Sequence, residues 1–195
     1  LIIFGKFLSI VINKVNGNFF CLIINTFFNR DGKIYFEEDK YYKLLKSNEK
    51  VYFPNKRILR IVKSVKFQYD LIIDTYMLDE IGLKDNDTVI DCGANVGELK
   101  LALKSKGLKI NYYGFEPEDP TYKCLALNVG NTSKVFQNAL GNKNERKSLY
   151  LDTIGGNSSL IDFGTNQKVP IEVIALDSLG IDTPIKVFKV EAEGY

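Results

Sequence analysis

"VIDCGANVGELK", residues 89–100, decides how this chain is read. A short β-branched run ends on Asp91, two glycines spaced four apart follow, and then a helix-like pattern begins. The strand, "TVID", shows no alternation of apolar and polar residues, as expected of a central strand covered on both faces. Asn95 is placed to cap the helix, with Glu98 three residues on in a capping-box relation. Leu99, Ala102 and Leu103 share one face, and Gly107 supplies the stop.

Downstream, the same form repeats. "INYYGFEP" reads as a strand, Asp119 and Pro120 as the cap and first residue of a helix, Tyr122, Leu125, Ala126 and Val129 as its apolar face, and Gly130 as its end. "KVFQNAL" reads as a third strand, and "KSLYLD", "VPIEVIAL" and "IKVFKVEAE" as further ones, joined by the loop "TIGGNSS" and the turn "DSLG". Strand, helix, strand, helix, strand at this spacing predicts an α/β fold with a doubly wound, mainly parallel, Rossmann-like sheet. Upstream, "YDLIIDTYMLDEIGL" predicts a helix ending near Gly82. Residues 1–69 form an N-terminal extension of unassigned topology, with a strand at "GKIYF", a polar stretch "EEDKYYKLLKSNEK" and helix in "KRILRIVKSV". The two domains expected are therefore 1–69 and 70–195.

The charge follows that division. Residues 1–69 carry 13 Lys and Arg against 5 Asp and Glu, net +8, whereas residues 70–195 carry 13 against 19, net −6. A basic flank fits phosphates, an anionic glycan or an anionic membrane surface, or is simply a solvated lysine-rich face. Nucleic acid is not an expected partner, because no arginine-rich cluster or aromatic RNA-binding signature is present. The opening "LIIFGKFLSIVINKVNGNFFCLIINTFF" is broken by Lys6 and Lys14, so no charge-free run approaches the ~20 residues of a span. Its apolar residues are expected to pack a small N-terminal core, with shallow membrane contact as the alternative. The chain starts on Leu1 and stops inside what reads as a buried strand, so a piece of a longer protein is expected.

The absence of histidine excludes Ser-His-Asp triads, H-E-x-x-H metal sites and any histidine general base. Cys21, Cys92 and Cys124 form no C-x-x-C pair, so no metal site is expected and a reduced, cytoplasmic setting fits. Cys92 reads as a small buried residue.

In such a sheet, ligands sit beyond the carboxyl ends of the strands at the first glycine loop. Asp91 would there face a dinucleotide's pyrophosphate, and two like charges about 4 Å apart cost on the order of 4 kcal/mol at an effective dielectric near 20. That disfavours NAD and FAD. S-adenosylmethionine instead offers an ammonium and a sulfonium for an acid to attract. Glu116 ends the second strand, where a carboxylate can take both ribose hydroxyls. Asn138 is placed to reach an adenine edge, with Ala139 and Leu140 as an apolar surface. Each residue has a plainer reading: Gly93 and Gly97 as turn and packing glycines, Glu116 as an acid preceding a helix, Asn138 as a turn residue.

"DTVIDCGANVGELKLAL", "YYGFEPEDPTY", "VFQNALGN", "GGNSSL" and "VIALDSLGIDTPIKVFKVEAEGY" together resemble the FkbM-type family of S-adenosylmethionine-dependent methyltransferases, from about residue 70 onward. Asp91, Gly93, Ala94, Asn95 and Gly97 match its cofactor loop, Glu116 and Pro117 its ribose-acid motif, and Asn138 and Ala139 its adenine-side segment. Glu191, Glu193 and Gly194 match its fourth-strand motif, where the family usually has aspartate at the position of Glu191. The resemblance implies O-methylation of a hydroxyl on a sugar, glycan or other small metabolite. Further strands and helices of the family fold are expected after Tyr195. If a base is needed, Glu193 is the first candidate and Glu191 the second; either reads equally well as structural. Ser158 and Ser159 shape the acceptor pocket or form an ordinary turn. The alternatives are a non-catalytic Rossmann-like nucleotide-binding module and an NAD-dependent oxidoreductase or epimerase. Oligomeric state is left open.

Overall fold

The computed structural model describes residues 12–28, 30–152 and 158–191. The chain divides into two compact units, Leu1–Gln68 and Tyr69–Tyr195. Among the described residues no helix is long and apolar enough to cross a membrane.

The first unit is built on a three-stranded antiparallel meander of β1 (Gly32–Glu37), β2 (Lys40–Leu45) and β3 (Lys50–Phe53). The first hairpin turns through Glu38 and Asp39, both with positive φ, the backbone that two-residue loops require. Helix α1 (Gly17–Phe28) buries Phe20, Cys21 and Ile24, and the Phe20 ring meets Tyr41 edge-on at 5.3 Å. Its other side leaves Phe19, Leu22 and Phe27 exposed. Core packing of this segment therefore holds for one face. The expected helix in "KRILRIVKSV" is a 3₁₀ turn at Lys56–Ile58 followed by the short α2 (Leu59–Val62). "EEDKYYKLLKSNEK", polar in sequence, holds the whole of β2. Lys43 in β2 is buried, donating to the Ile61 and Val62 carbonyls and pairing with Asp31. Its charge hid an inward-facing position.

Helix α3 (Val65–Thr75) leads into the second unit, and α4 (Leu78–Ile81) follows after Met77, which lies in the left-handed region. The single helix expected over this stretch is thus broken once before Gly82 ends it. The sheet that follows has β4 (Thr88–Cys92), β5 (Asn111–Phe115), β6 (Lys134–Phe136) and β10 (Ile185–Val190), all parallel, in the spatial order β10-β4-β5-β6. Helices α5 (Glu98–Ser105) and α6 (Asp119–Val129) make the two crossovers. From β4 the chain steps outward through β5 to β6 and then returns to the opposite side of β4. One sheet face buries Ile90, Cys92 and Phe115 with Leu140.

The expectation of one doubly wound sheet holds for these four strands only. "KVFQNAL" does not form one strand: it divides at Gln137–Asn138 into β6 and β7 (Ala139–Gly141). β7 pairs in parallel with β9 (Lys168–Ala175), which is antiparallel to β8 (Glu145–Tyr150), in a separate mixed sheet. The excursion between β6 and β10 is therefore a small sheet, closed around Leu149, Ile171 and Val173.

Candidate functional site

Because β4, β5 and β10 are parallel, their carboxyl ends open on one side. Asp91 lies opposite Gly114 of β5 and Lys189 of β10. Gly114 leaves room for a neighbour: a Cβ there would come within 2.8 Å of the Tyr112 ring. The ring lies over the glycine, and its hydroxyl donates to Asp91 Oδ2 at 2.6 Å. From the other side Lys189 Nζ donates to Asp91 Oδ1 at 2.7 Å and to the Gly93 carbonyl at 2.8 Å. It also stands 3.2 Å from Glu191 Oε2, which accepts the Tyr76 hydroxyl at 2.8 Å. Burial pushes the Asp91 carboxyl and the Tyr112 phenol up. Although burial alone depresses Lys189, the adjacent Asp91 carboxylate raises it, so the lysine holds its proton. Burial, reinforced by the bond to Glu191, lifts the Tyr76 phenol to about 12.

Asp91 is 1% exposed and both of its oxygens are engaged inside the protein. It was expected to present its charge to a ligand. In the structure it is buried against Lys189 and tied into the sheet. The signal that could have found Lys189 is a lysine inside the apolar strand "KVFKV", since a buried ammonium requires an acid. Tyr112 and Tyr76, which hold the two carboxylates, carried no such signal.

The glycine loop is self-satisfied. Gly93 and Ala94 donate their amides to the Phe115 carbonyl at 3.0 and 2.9 Å, and Gly97 donates to Ala94 at 2.8 Å. Gly93, Asn95 and Gly97 all have positive φ. Asn95 does not cap the helix. The cap position belongs to Gly97, without a side-chain bond, and Glu98 is the first helical residue rather than the third. The capping box fails because the left-handed turn consumes the residues it needed. Gly97 is a packing glycine: a Cβ would lie 2.7 Å from Val129 and 2.9 Å from Leu125 of α6. A Cβ on Gly93 would collide with the Glu191 carbonyl oxygen, so the loop touches the end of β10 backbone to backbone.

Glu116 comes to this loop from the end of β5. Its Oε2 accepts the Asn95 amide at 2.9 Å and its Oε1 the Glu118 amide at 3.0 Å. Burial pushes its pKa up to about 7 against the pull of those two amides. Pro117 is half-buried behind it, and α6 is capped at Glu118 rather than Asp119, with Pro120 in the first turn.

Asn138 is half-buried and its amide reaches the Glu172 carbonyl at 3.4 Å. Ala139 packs in the mixed sheet, while Leu140 joins Ile90, Cys92 and Phe115. Ser159 exchanges two backbone bonds with Tyr150 and its hydroxyl accepts the Ile161 amide, and Ser158 accepts the Asp152 amide. Both serines are thus engaged in local turn structure. All three cysteines are buried and none is in a disulfide. Glu193 and Gly194 lie outside the described residues, as does the Thr153–Asn157 part of the loop.

The structure therefore brings Asp91, Gly93, Ala94, Asn95, Gly97, Glu116 and Glu191 to one strand-end cluster. Comparison with family models and with curated proteins found no match to this chain.

Proposed function

We propose that this cluster is an S-adenosylmethionine site and that the protein is a methyltransferase acting on a hydroxyl of a sugar, glycan or other small metabolite. The observation that carries the reading is the meeting of the glycine loop and Glu116 at adjacent carboxyl ends, joined through the Asn95 amide. The strand order β6-β5-β4-β10, which reverses beside β4, supports this reading, because in open parallel sheets ligands lie at such a reversal.

The donor set fits an adenosyl ligand better than a dinucleotide. A pyrophosphate cradle requires backbone amides directed at the ligand. Here the amides of Gly93, Ala94, Asn95 and Gly97 are spent within the protein. Among the described residues, Asp91 and Glu191 pair with Lys189 and Glu116 lies at the adjacent strand end, a set of acids that disfavours phosphates and favours a cationic group.

When bound, the cofactor supplies a methyl group on a positively charged sulfur. The chain's own task is binding and orientation. The Glu116 carboxylate receives ribose hydroxyls through lone pairs not used by the two amides. Asn138, Ala139 and Pro117 supply the adenine side. With no histidine in the chain, Glu193 and then Glu191 are the candidates if a base is needed to take the proton from an acceptor hydroxyl.

Because Lys189 neutralises Asp91, repulsion from that acid no longer argues against NAD by itself, and NAD is the proper control. Calorimetric titration with S-adenosylhomocysteine is expected to give micromolar binding, and NAD none. Binding of NAD alone would return the oxidoreductase reading; binding of both ligands without transfer to any hydroxylated acceptor would favour a non-catalytic nucleotide module.

A further inference from the structure

We propose that the first unit docks on an anionic membrane surface, with the outer face of α1 set in the apolar boundary and a basic pocket beside it taking lipid phosphates. This does not depend on the strand-end cluster. It starts from a helix with two apolar sides. "GNFFCLIINTFF" carries no charged residue. Phe20, Cys21 and Ile24 pack the core, while on the other side Phe19 and Leu22 are 59% and 61% exposed. Thr26 lies one turn beyond Leu22, and its hydroxyl donates to the Leu22 carbonyl at 2.8 Å, so its polarity is already satisfied. A helix that is apolar all round calls for apolar surroundings on both sides. This one is about 18 Å long, too short to cross a bilayer core of about 30 Å, and so it lies along the surface.

The charge around the helix selects the kind of surface. Lys14 precedes α1 and Arg30 follows it, both exposed. Arg30, Lys33 and Lys46 line one open pocket together with Tyr35. Among the described residues these three cations stand in no ion pair, and the acid of that wall, Asp31, is engaged by Lys43 and the Val65 amide. The pocket is tied to the helix through β1. The Asn25 side chain of α1 donates to the Ile34 carbonyl at 2.8 Å and accepts the Ile34 amide at 2.9 Å, and Lys33 and Tyr35 flank Ile34 in the strand. Residues 1–69 carry net +8, so a second copy of the chain would bring like charge to like, whereas anionic headgroups bring the opposite charge.

The test is flotation of the full chain with vesicles of phosphatidylcholine, with and without phosphatidylserine. Wild type is expected to bind the anionic vesicles only and to be released by salt. Phe19→Ser with Leu22→Ser, and separately Arg30→Gln with Lys33→Gln and Lys46→Gln, are each expected to weaken binding at least about tenfold while keeping the wild-type urea midpoint. The chain has no tryptophan, so Phe19→Trp places a single reporter on the helix, and its emission is expected to shift to the blue on anionic vesicles alone. Equal binding to both vesicles, binding to neither, or an unshifted emission overturns the proposal. If glycerophosphoserine in solution fills the pocket while the serine variant binds vesicles as wild type does, the pocket serves a soluble phosphate and the proposal falls. It falls too if light scattering without lipid shows self-association that the serine variant abolishes, because the face is then a contact between copies.

Discussion

Lys189 and Asp91 face each other across the β10–β4 pairing, 98 residues apart in sequence, with Nζ and Oδ1 2.7 Å apart and both side chains buried. Removing one partner of a buried pair leaves an uncompensated charge, a loss of about 3–5 kcal/mol. Lys189→Met and Asp91→Asn are each expected to lower the urea midpoint accordingly, with the double variant losing less than the sum of the two. Additive losses would show that the pair is not coupled. Asp91 is thus expected to matter for folding first, and weakened cofactor binding in Asp91→Ala is expected to come with lost stability.

Glu116 gives the protein a pH-dependent stability of definite sign. Its pKa rises from 4.5 to about 7 on folding, so the folded state holds the proton more tightly. The stabilisation is fully present below pH 4.5 and is lost as pH rises towards 7. Glu116→Gln cannot ionise, so its Tm relative to wild type is expected to climb between pH 5 and pH 8. A pH-independent difference would refute this. Ribose recognition needs the carboxylate, so affinity for S-adenosylhomocysteine is expected to fall as pH drops below about 7.

The two loop glycines differ in what surrounds them. At Gly97 an added methyl meets side-chain carbons of Val129 and Leu125, which can shift. Left-handed strain of about 1–2 kcal/mol and overpacking of about 1–3 kcal/mol set the expected loss. At Gly93 the obstacle is backbone, the carbonyl of Glu191. Gly93→Ala is therefore expected to lose more stability than Gly97→Ala and to loosen β10, read as faster amide exchange at Glu191, whose N–H bonds Cys92. Equal losses with unchanged exchange would contradict this contact.

In the first unit, adjacent phenylalanines are expected to behave oppositely. Phe20 is fully buried and Phe19 is 59% exposed. Phe20→Ala is expected to lose about 3–5 kcal/mol, and Phe19→Ser to stay within about 0.5 kcal/mol, both by chemical denaturation.

Where local chemistry punctuates the chain, the sequence was readable. Gly107 and Gly130 end their helices, and β4, β5, α5 and α6 lie close to where the pattern of apolar residues puts them. The loop and Glu116 follow from that order, since successive strand ends of a parallel sheet fall side by side. What stayed hidden depends on distant partners. Lys43 looks like a surface residue until the Ile61 and Val62 carbonyls are known to lie over it. The partner of Asp91 is invisible until the register places Lys189 beside it. The break at Asn138 follows from a pairing with Val173, opposite Ala139, that no nearby residue announces.

The position of β10 also has a consequence in time. A chain made from its N-terminus releases β4, the glycine loop and Glu116 long before Lys189. Until then Asp91 has no counter-ion and β4 has an unpaired edge where β10 will lie. During synthesis this end of the sheet stays an open seam, exposed to mispairing with other nascent strands, and the arrival of one lysine closes it.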